Sequence, residues 1–176
     1  MAAQAIKLRI STPTEPIPPG RGFYQLEEDS LYVQIGLFSM DRRFFSYLES
    51  TNTRLDFDRE GRLIFIEVDL PRRQWPLDHR LTRPVVAEAA DIRWLDFRRA
   101  ISDPSLAANT NRTTLALRFD AAAPTQNYYL SESVILQANN RHELCAILID
   151  DIADDLAGHE IAAFRKDCRA DAFHSC

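Results

Sequence analysis

The sequence predicts an α+β protein that is mostly β, with two related antiparallel β-meanders packed as an internal pseudo-dimer and a C-terminal helix. Three observations predict this fold. Apolar and polar residues alternate along most of the chain, two stretches resemble each other, and an amphipathic segment lies near the C-terminal end. We expect an N-terminal arm at 1–22, a first repeat with its connecting segment at 23–90, a second repeat at 91–152, and a helix and tail at 153–176.

Composition is that of an ordinary globular protein. The 176 residues are 45% hydrophobic and 27% charged, and a chain of this length buries about 70% of its unfolded surface without needing a metal or disulfide. The net charge of −5 disfavours nucleic-acid binding, which needs a basic face. The chain has no membrane-spanning apolar run, no signal-peptide pattern and no CxxC spacing. We therefore expect a cytoplasmic protein without a cofactor and without a nucleic-acid or membrane partner.

Strands are expected over most of the first repeat. Proline and glycine recur in 11–22, where they remove hydrogen-bond donors and loosen the backbone, so this segment predicts an irregular arm. Alternating apolar residues then predict strands within 23–35, 53–58 and 62–70. The stretch RRFFSYLES, at 42–50, fits either a strand or a helical turn.

The second repeat begins less regularly. PVVAEAADIRWLDFRR, at 84–99, fits a short helix followed by a strand, or one longer strand. TTLALRF, NYYLSES, VILQ and ELCAILI predict strands between 113 and 149. From 150 to 168, four aspartates come first, Arg165 and Lys166 come near the end, and apolar residues recur at helical spacing. Because this charge order complements a helix dipole, it predicts the C-terminal helix.

Two stretches of the chain align without a gap. RLDFDREGRLIFIEVD, at 54–69, aligns with ILQANNRHELCAILID, at 135–150, and LYVQI at 31–35 aligns upstream with LALRF at 115–119. Two matching blocks in the same order predict an internal duplication. A single small meander has one apolar face to bury, and the second copy supplies the partner that a homodimer would otherwise provide.

The stretch DFDREGRLIFIE, at 56–67, has the ligand spacing of an EF-hand calcium loop, with glycine at its sixth position. The candidate metal ligands are Asp56, Asp58, Glu60 and Glu67. The second copy has no carboxylate at any of these positions, and a strand-like run with Pro71 follows where a calcium loop would continue into a helix. We therefore favour a structural hairpin with a turn at 58–61 over a calcium site.

Two motifs of the first repeat match a known family. The matching residues are Asp29, Leu31, Tyr32, Val33, Asp56, Asp58, Glu60, Gly61, Leu63, Ile66 and Glu67. DSLYVQI followed by LDFDREGRLIFIEV resembles the small bacterial family catalogued as domain of unknown function 2283. The resemblance implies a tandem, diverged duplicate over most of 21–152, in which the second copy has lost the acidic turn. The family has no assigned activity, but some members lie beside toxin genes, which adds an antitoxin-like protein as an alternative.

The segment 72–99 combines arginine with tryptophan, a composition typical of protein interfaces. The interface candidates are Arg72, Arg73, Trp75, Trp94, Arg98 and Arg99. The same composition also fits arginines lying over core tryptophans. Our leading hypothesis is a non-enzymatic protein that acts through an unidentified protein partner or through self-association.

Catalytic motifs are scarce in the sequence. The four histidines are scattered, and the chain has neither a GxSxG motif nor a glycine-rich phosphate loop. Two further alternatives stay open: a small-molecule- or calcium-binding module, and an enzyme with a site between the two repeats. An enzyme of that kind predicts a deep polar pocket with clustered carboxylates or histidines.

Overall fold

The computed structural model describes residues 5–36, 42–121 and 123–155, and these residues are mostly β, as predicted. They form fifteen strands and one 3-10 helix, Arg72–Gln74, and include no α-helix. The strands of the first half are β1 (Leu8–Ser11), β2 (Gly22–Gln25), β3 (Ser30–Gln34), β4 (Ser46–Glu49), β5 (Thr53–Phe57), β6 (Leu63–Val68) and β7 (Glu88–Ala89). The later strands are β8 (Asp91–Trp94), β9 (Arg99–Ala100), β10 (Ser105–Ala108), β11 (Leu115–Arg118), β12 (Gln126–Ser131), β13 (Val134–Ala138), β14 (Leu144–Ile149) and β15 (Ala153–Asp154). Across these described ranges, no helix combines the length and apolar character of a membrane span.

Most strands belong to two large sheets. The seven-stranded sheet has the order β15-β2-β3-β6-β5-β4-β9, and the six-stranded sheet has the order β10-β11-β14-β13-β12-β7. The long strands pair antiparallel, whereas the two-residue strands β7, β9 and β15 pair parallel at sheet edges. A third sheet pairs β1 with β8. Short strands at the edges limit pairing with other chains.

Five strands of each large sheet follow the same order with matching registers. Leu31 pairs with Val68 in the seven-stranded sheet, and Leu115 pairs with Ile149 in the six-stranded sheet. A β-bulge lies between Asp56 and Phe57 in one sheet and between Gln137 and Ala138 in the other. The sequence alignment of the two stretches places these features at equivalent positions.

The chain crosses between the large sheets after each central hairpin. After β6, Leu77 forms a parallel bridge with Ala108 of β10. After β14, β15 pairs with β2, so that Ala153 lies opposite Phe23. The segment that leaves each sheet therefore pairs with the first of the five strands in the other sheet, and the two sheets interlock.

One apolar core lies between the two large sheets. Its members at 0% exposure include Leu31, Leu55, Ile66, Leu115, Leu136 and Ile147. Burying one such side chain stabilises the folded state by about 1.5–3 kcal/mol. Because strands from both sheets contribute to a single cluster, each sheet covers the inner face of the other.

The prediction of a C-terminal helix is wrong for residues 153–155, the part of that segment that the structure describes. Ala153–Asp154 form a strand, and the Asp155 amide donates to the Tyr24 carbonyl at 2.9 Å. Pairing with β2 satisfies these backbone groups and overrides the local helix signal. The remainder of the predicted helix, 156–176, lies outside the described residues.

The ambiguous segments resolve as β structure. The stretch 42–50 contains β4, and 84–99 contains β7 and β8 and reaches the start of β9, with no helix. Residues 12–21 contain no strand, in line with the irregular segment predicted for 11–22, and β1 lies just before it and pairs with β8. The partners of β1, β7 and β8 are remote in sequence, so local periodicity did not identify them.

Candidate functional site

The turn between β5 and β6 is held by the Asp58 side chain. Its carboxylate oxygen Oδ1 accepts hydrogen bonds from the backbone N–H groups of Glu60 and Arg62, each at 2.9 Å. The Gly61 amide donates to the Asp58 carbonyl at 3.1 Å, and Gly61 has a φ of +82°. Asp58 is 0% exposed, so its oxygen acts inside the turn.

The turn between β13 and β14 has the same hydrogen-bond pattern with Asn139 in place of the aspartate. Its Oδ1 accepts from the Arg141 and Glu143 amides, each at 3.0 Å. The His142 amide donates to the Asn139 carbonyl at 3.1 Å, and His142 has a φ of +55°. The turn therefore requires an acceptor oxygen at its first position, whether or not that oxygen carries a charge.

The other candidate calcium ligands lie against arginines or within a strand. The Asp56 carboxylate accepts from Arg54 at 2.7 Å. Glu60 binds Arg62 at 2.6 Å and Arg93 at 2.7 Å, and these hydrogen bonds lower the pKa of Glu60 to about 2. Together with Asp58, these two carboxylates therefore already have hydrogen-bond donors as partners.

Glu67 lies within β6, opposite Tyr32 on one side and Arg54 on the other. The turn runs into β6, where an EF-hand would continue into a helix. Among the described residues, no three His, Cys, Asp or Glu side chains lie together as a potential metal site. The hairpin is the arrangement that the sequence analysis favoured over a calcium loop.

The tryptophans among the predicted interface residues lie in the core. Trp75 and Trp94 are each 1% exposed. Trp75 packs edge-on against Tyr24 with ring centroids 5.8 Å apart, and Trp94 lies 5.1 Å from Phe57. Their rings are therefore unavailable to a partner in this structure, and of the six candidates only the arginines reach the surface.

The four candidate arginines differ in their surroundings. Arg72 lies 4.4 Å over the Tyr24 ring and binds Asp154 at 2.7 Å, so it fastens β15 to the body of the protein. Arg73 is 71% exposed and lies 3.4 Å from Asp29. Arg99 belongs to β9 and lies 3.5 Å from an Asp96 oxygen. Arg98 is exposed and adopts a φ of +56°, an uncommon conformation for a residue other than glycine.

Arg98 forms an exposed patch with Phe45 and Arg59, which we call the Arg-Phe patch. The Phe45 ring is 39% exposed. The guanidinium of Arg98 lies 5.0 Å from its centroid, and that of Arg59 lies 5.5 Å away. Phe45 and Arg59 were not singled out in the sequence, because they approach Arg98 only through the pairing of β4 with β5 and β9.

Two pockets open at ends of the core. The larger has a volume of about 470 Å³ and is lined by Ile6, Ile101, Ser102, Asp103, Ser105, Arg118, Phe119, Asp120 and Leu144. The smaller has a volume of about 80 Å³ and includes Ile35, Leu63 and Ile92 among its lining residues. Neither lining includes a histidine or a cysteine.

The apolar floors of the two pockets occupy matching places in the two sheets. Ile35 and Phe119 each follow the second of the five strands in their sheet. The Ile35 amide donates to the Ile64 carbonyl, and the Phe119 amide donates to the Cys145 carbonyl. Ile64 and Cys145 align with each other in sequence. Leu63 aligns with Leu144 at the start of the last hairpin strand. The third apolar residues, Ile92 and Ile6, come from the segments that form the β1–β8 sheet or lead into it.

Lining residues form ion pairs with one another in the smaller pocket, whereas Arg118 of the larger pocket pairs with Asp78 outside the lining. Glu15 pairs with Arg42, and its other oxygen lies 3.8 Å from Arg62. All three of these residues line the smaller pocket. In the alignment Arg62 corresponds to Glu143, whose carboxylate binds Lys7 at 2.9 Å and Asn139 at 3.0 Å and does not line the larger pocket. The carboxylate that lines the smaller pocket is therefore paired with arginines, whereas Asp103 and Asp120 of the larger pocket form no ion pair within the described residues.

The thiol of Cys145 has no features of a nucleophile. Cys145 is 5% exposed and free of any disulfide. Burial raises the pKa of the thiol, and nearby Glu143 raises it further, so the thiol stays protonated near neutral pH.

Substitution at the fourth position of each hairpin turn should change stability by different amounts. Gly61→Ala should destabilise the fold by more than about 1 kcal/mol, because its φ is positive and an added Cβ would approach the Trp94 carbonyl oxygen to 2.6 Å. His142→Gly should change stability by less than about 1 kcal/mol, because relief of the left-handed conformation opposes the added freedom of the unfolded chain. Urea unfolding of both variants measures the difference, and equal losses would contradict the assigned turn geometry.

Asp58→Asn should preserve the hairpin, because Asn139 performs the same role in the other turn. Burial raises the pKa of Asp58 above its ordinary value of 3.8. The folded wild-type protein therefore loses stability, relative to the asparagine variant, as the pH rises from about 4 through the folded-state pKa. Urea unfolding of both proteins between about pH 4 and pH 7 measures this difference. Asp58→Ala, the control, should lose about 1–2 kcal/mol because two backbone donors lose their acceptor.

Calcium provides an independent arm of the same experiment. Millimolar calcium should leave the melting temperature of the wild-type protein unchanged, because three of the four candidate carboxylates are already bound by protein donors. A site saturated at 100 times its dissociation constant would add about 2.7 kcal/mol. A rise in the wild-type protein that Asp58→Asn abolishes would contradict the structural interpretation of this turn.

Comparison with known proteins gives no family assignment. No protein-family model matches the sequence, and a search of curated proteins found no match. The resemblance to domain of unknown function 2283 therefore stays a prediction that is carried by the two motifs of the first repeat.

Proposed function

We propose that the protein is a non-enzymatic cytoplasmic binding protein, built from two diverged copies of one five-stranded β-unit, that acts by contacting another protein. The observation that carries this proposal is the Arg-Phe patch, in which two guanidinium groups lie within 5.5 Å of the centroid of an exposed aromatic ring. The three cysteines, an odd number with no CxxC spacing, support the cytoplasmic compartment.

Matching strand order, register and bulge position support the duplication. The two hairpin turns use the same hydrogen bonds, although one begins with aspartate and the other with asparagine. Both turns also meet the β1–β8 sheet, because the Trp94 amide donates to the Gly61 carbonyl and the Leu8 amide donates to the His142 carbonyl. Agreement at this level of detail is more than two unrelated meanders would show.

The chemistry of the Arg-Phe patch favours an acidic protein partner. Arg59 and Arg98 form no ion pair with any residue in the described ranges, so their N–H donors are free to bind carboxylates. Arginine and aromatic side chains dominate the binding energy of many interfaces. Arginine over an aromatic ring also occurs in single-stranded nucleic-acid sites, but the net charge of −5 opposes a polyanion.

Leu95 is a further exposed apolar residue that lies close to Arg98 in sequence. It is 54% exposed and lies three residues before Arg98 in sequence. The surface therefore offers a partner both apolar contact and positive charge, the combination found at the centres of many interfaces.

A double substitution, Phe45→Ala with Arg98→Glu, tests this contact. Immobilised wild-type protein should capture a partner from a lysate of the source cells. The double variant should capture at least about tenfold less of that partner, which corresponds to about 1.4 kcal/mol. Both side chains are exposed, so we expect the melting temperature to change little.

Val86→Ala is the matched control, because Val86 is 71% exposed and is not part of the patch. The Val86→Ala variant should capture the same proteins as the wild-type protein. Sedimentation of the purified wild-type chain then shows whether the captured partner is a second copy of the chain. A set of captured proteins that is the same for the wild-type protein and the double variant would overturn the assignment of the patch as the contact surface.

A further inference from the structure

We propose that the larger pocket binds a small organic cation: a primary ammonium group attached to an apolar body. This inference is independent of the Arg-Phe patch, since none of the residues that line the pocket belongs to the patch. It rests on the shape of the pocket, on its apolar floor and on the charge at its rim.

The floor and the size of the pocket suit a compact apolar group. Ile6, Ile101, Phe119 and Leu144 contribute the apolar surface. The volume of about 470 Å³ lies within the range of about 300–1,000 Å³ that is usual for ligand sites. Ile6 and Leu144 are each at most 4% exposed, so the deepest part of the pocket lies against the core.

The charge at the rim is negative. Arg118 is bound to Asp78 at 3.1 Å, which offsets its positive charge. Asp103 accepts a long hydrogen bond of 3.3 Å from the Asn52 amide, and Asp120 has no hydrogen bond or ion pair with any residue that the structure describes. Two carboxylates near an apolar floor, with the neighbouring cation already paired, favour a ligand that carries a positive charge.

The smaller pocket provides a comparison within the same molecule. There, Arg42 and Arg62 line the pocket and both pair with Glu15. In the larger pocket the alignment places Glu143 at the position of Arg62, and Lys7 and Asn139 hold its carboxylate. The cation that lines the larger pocket, Arg118, is instead paired with Asp78 outside the lining, which leaves the place beside Asp103 and Asp120 to an external cation.

Phenethylammonium is a suitable probe, because it joins an ammonium group to an apolar ring. Its binding to the isotope-labelled full chain is measured by NMR, from the backbone amides of Ser102, Ser105 and Phe119. Neutral 3-phenylpropanol and anionic 3-phenylpropanoate serve as matched ligands of similar shape. Phenethylammonium should bind at least about tenfold more tightly than either, and added salt should weaken its binding because the carboxylates are exposed.

The double variant Asp103→Asn with Asp120→Asn removes the charge at the rim and keeps side chains of similar size. It should weaken phenethylammonium binding at least about tenfold and leave 3-phenylpropanol binding unchanged. Both residues are exposed, and an unchanged melting temperature confirms that the fold is intact. Glu15→Gln at the smaller pocket is the control and should leave the affinity at the larger pocket unchanged.

Three results would overturn the inference. The first is no shift of these amides at millimolar phenethylammonium. The second is binding of 3-phenylpropanoate that is as tight as that of the ammonium. The third is an affinity for phenethylammonium that the double variant retains. None of these results would bear on the Arg-Phe patch, which is tested by protein capture.

Discussion

Burial of the inner faces of the two large sheets is the constraint on which the rest of the structure depends. The aliphatic faces of the two sheets pack into one core, to which residues such as Leu55 and Leu136 both belong. The crossing segments reinforce this arrangement. Leu77 pairs with β10 and Ala153 pairs with β2, so the core and the backbone hydrogen bonds both join the two halves.

The sequence was informative wherever a strand buries one face. Alternation of apolar residues predicted β2, β3, β5, β6 and the strands after Thr113 because a half-buried strand imposes a period of two. The motif at 56–67 was correctly interpreted as a hairpin because its flanks have strand character. Ala153–Asp154 were assigned wrongly because their neighbours have helical spacing, while the interaction that decides their conformation is pairing with remote β2.

The candidate sites were harder to predict because their residues are distant in sequence. The larger pocket combines Ile6, Phe119 and Leu144, and no local pattern connects them. The Arg-Phe patch likewise combines Phe45 with Arg98, which meet only through strand pairing. Composition did identify Arg98, but it also selected Trp75 and Trp94, because a buried tryptophan and an interface tryptophan look alike in sequence. The difference between the two pockets accords with the proposed duplication, in which two copies of one unit diverge while sharing a core.

Paired cavity substitutions at equivalent core positions test the shared core most directly. Leu55 and Leu136 align in sequence and are each 0% exposed. Leu55→Ala and Leu136→Ala should each lower the free energy of unfolding by about 2–5 kcal/mol. In each variant, hydrogen exchange should show an equal loss of protection for the slowest amides of β6 and β14, because both sheets unfold together. Loss of protection confined to the substituted sheet would contradict the account.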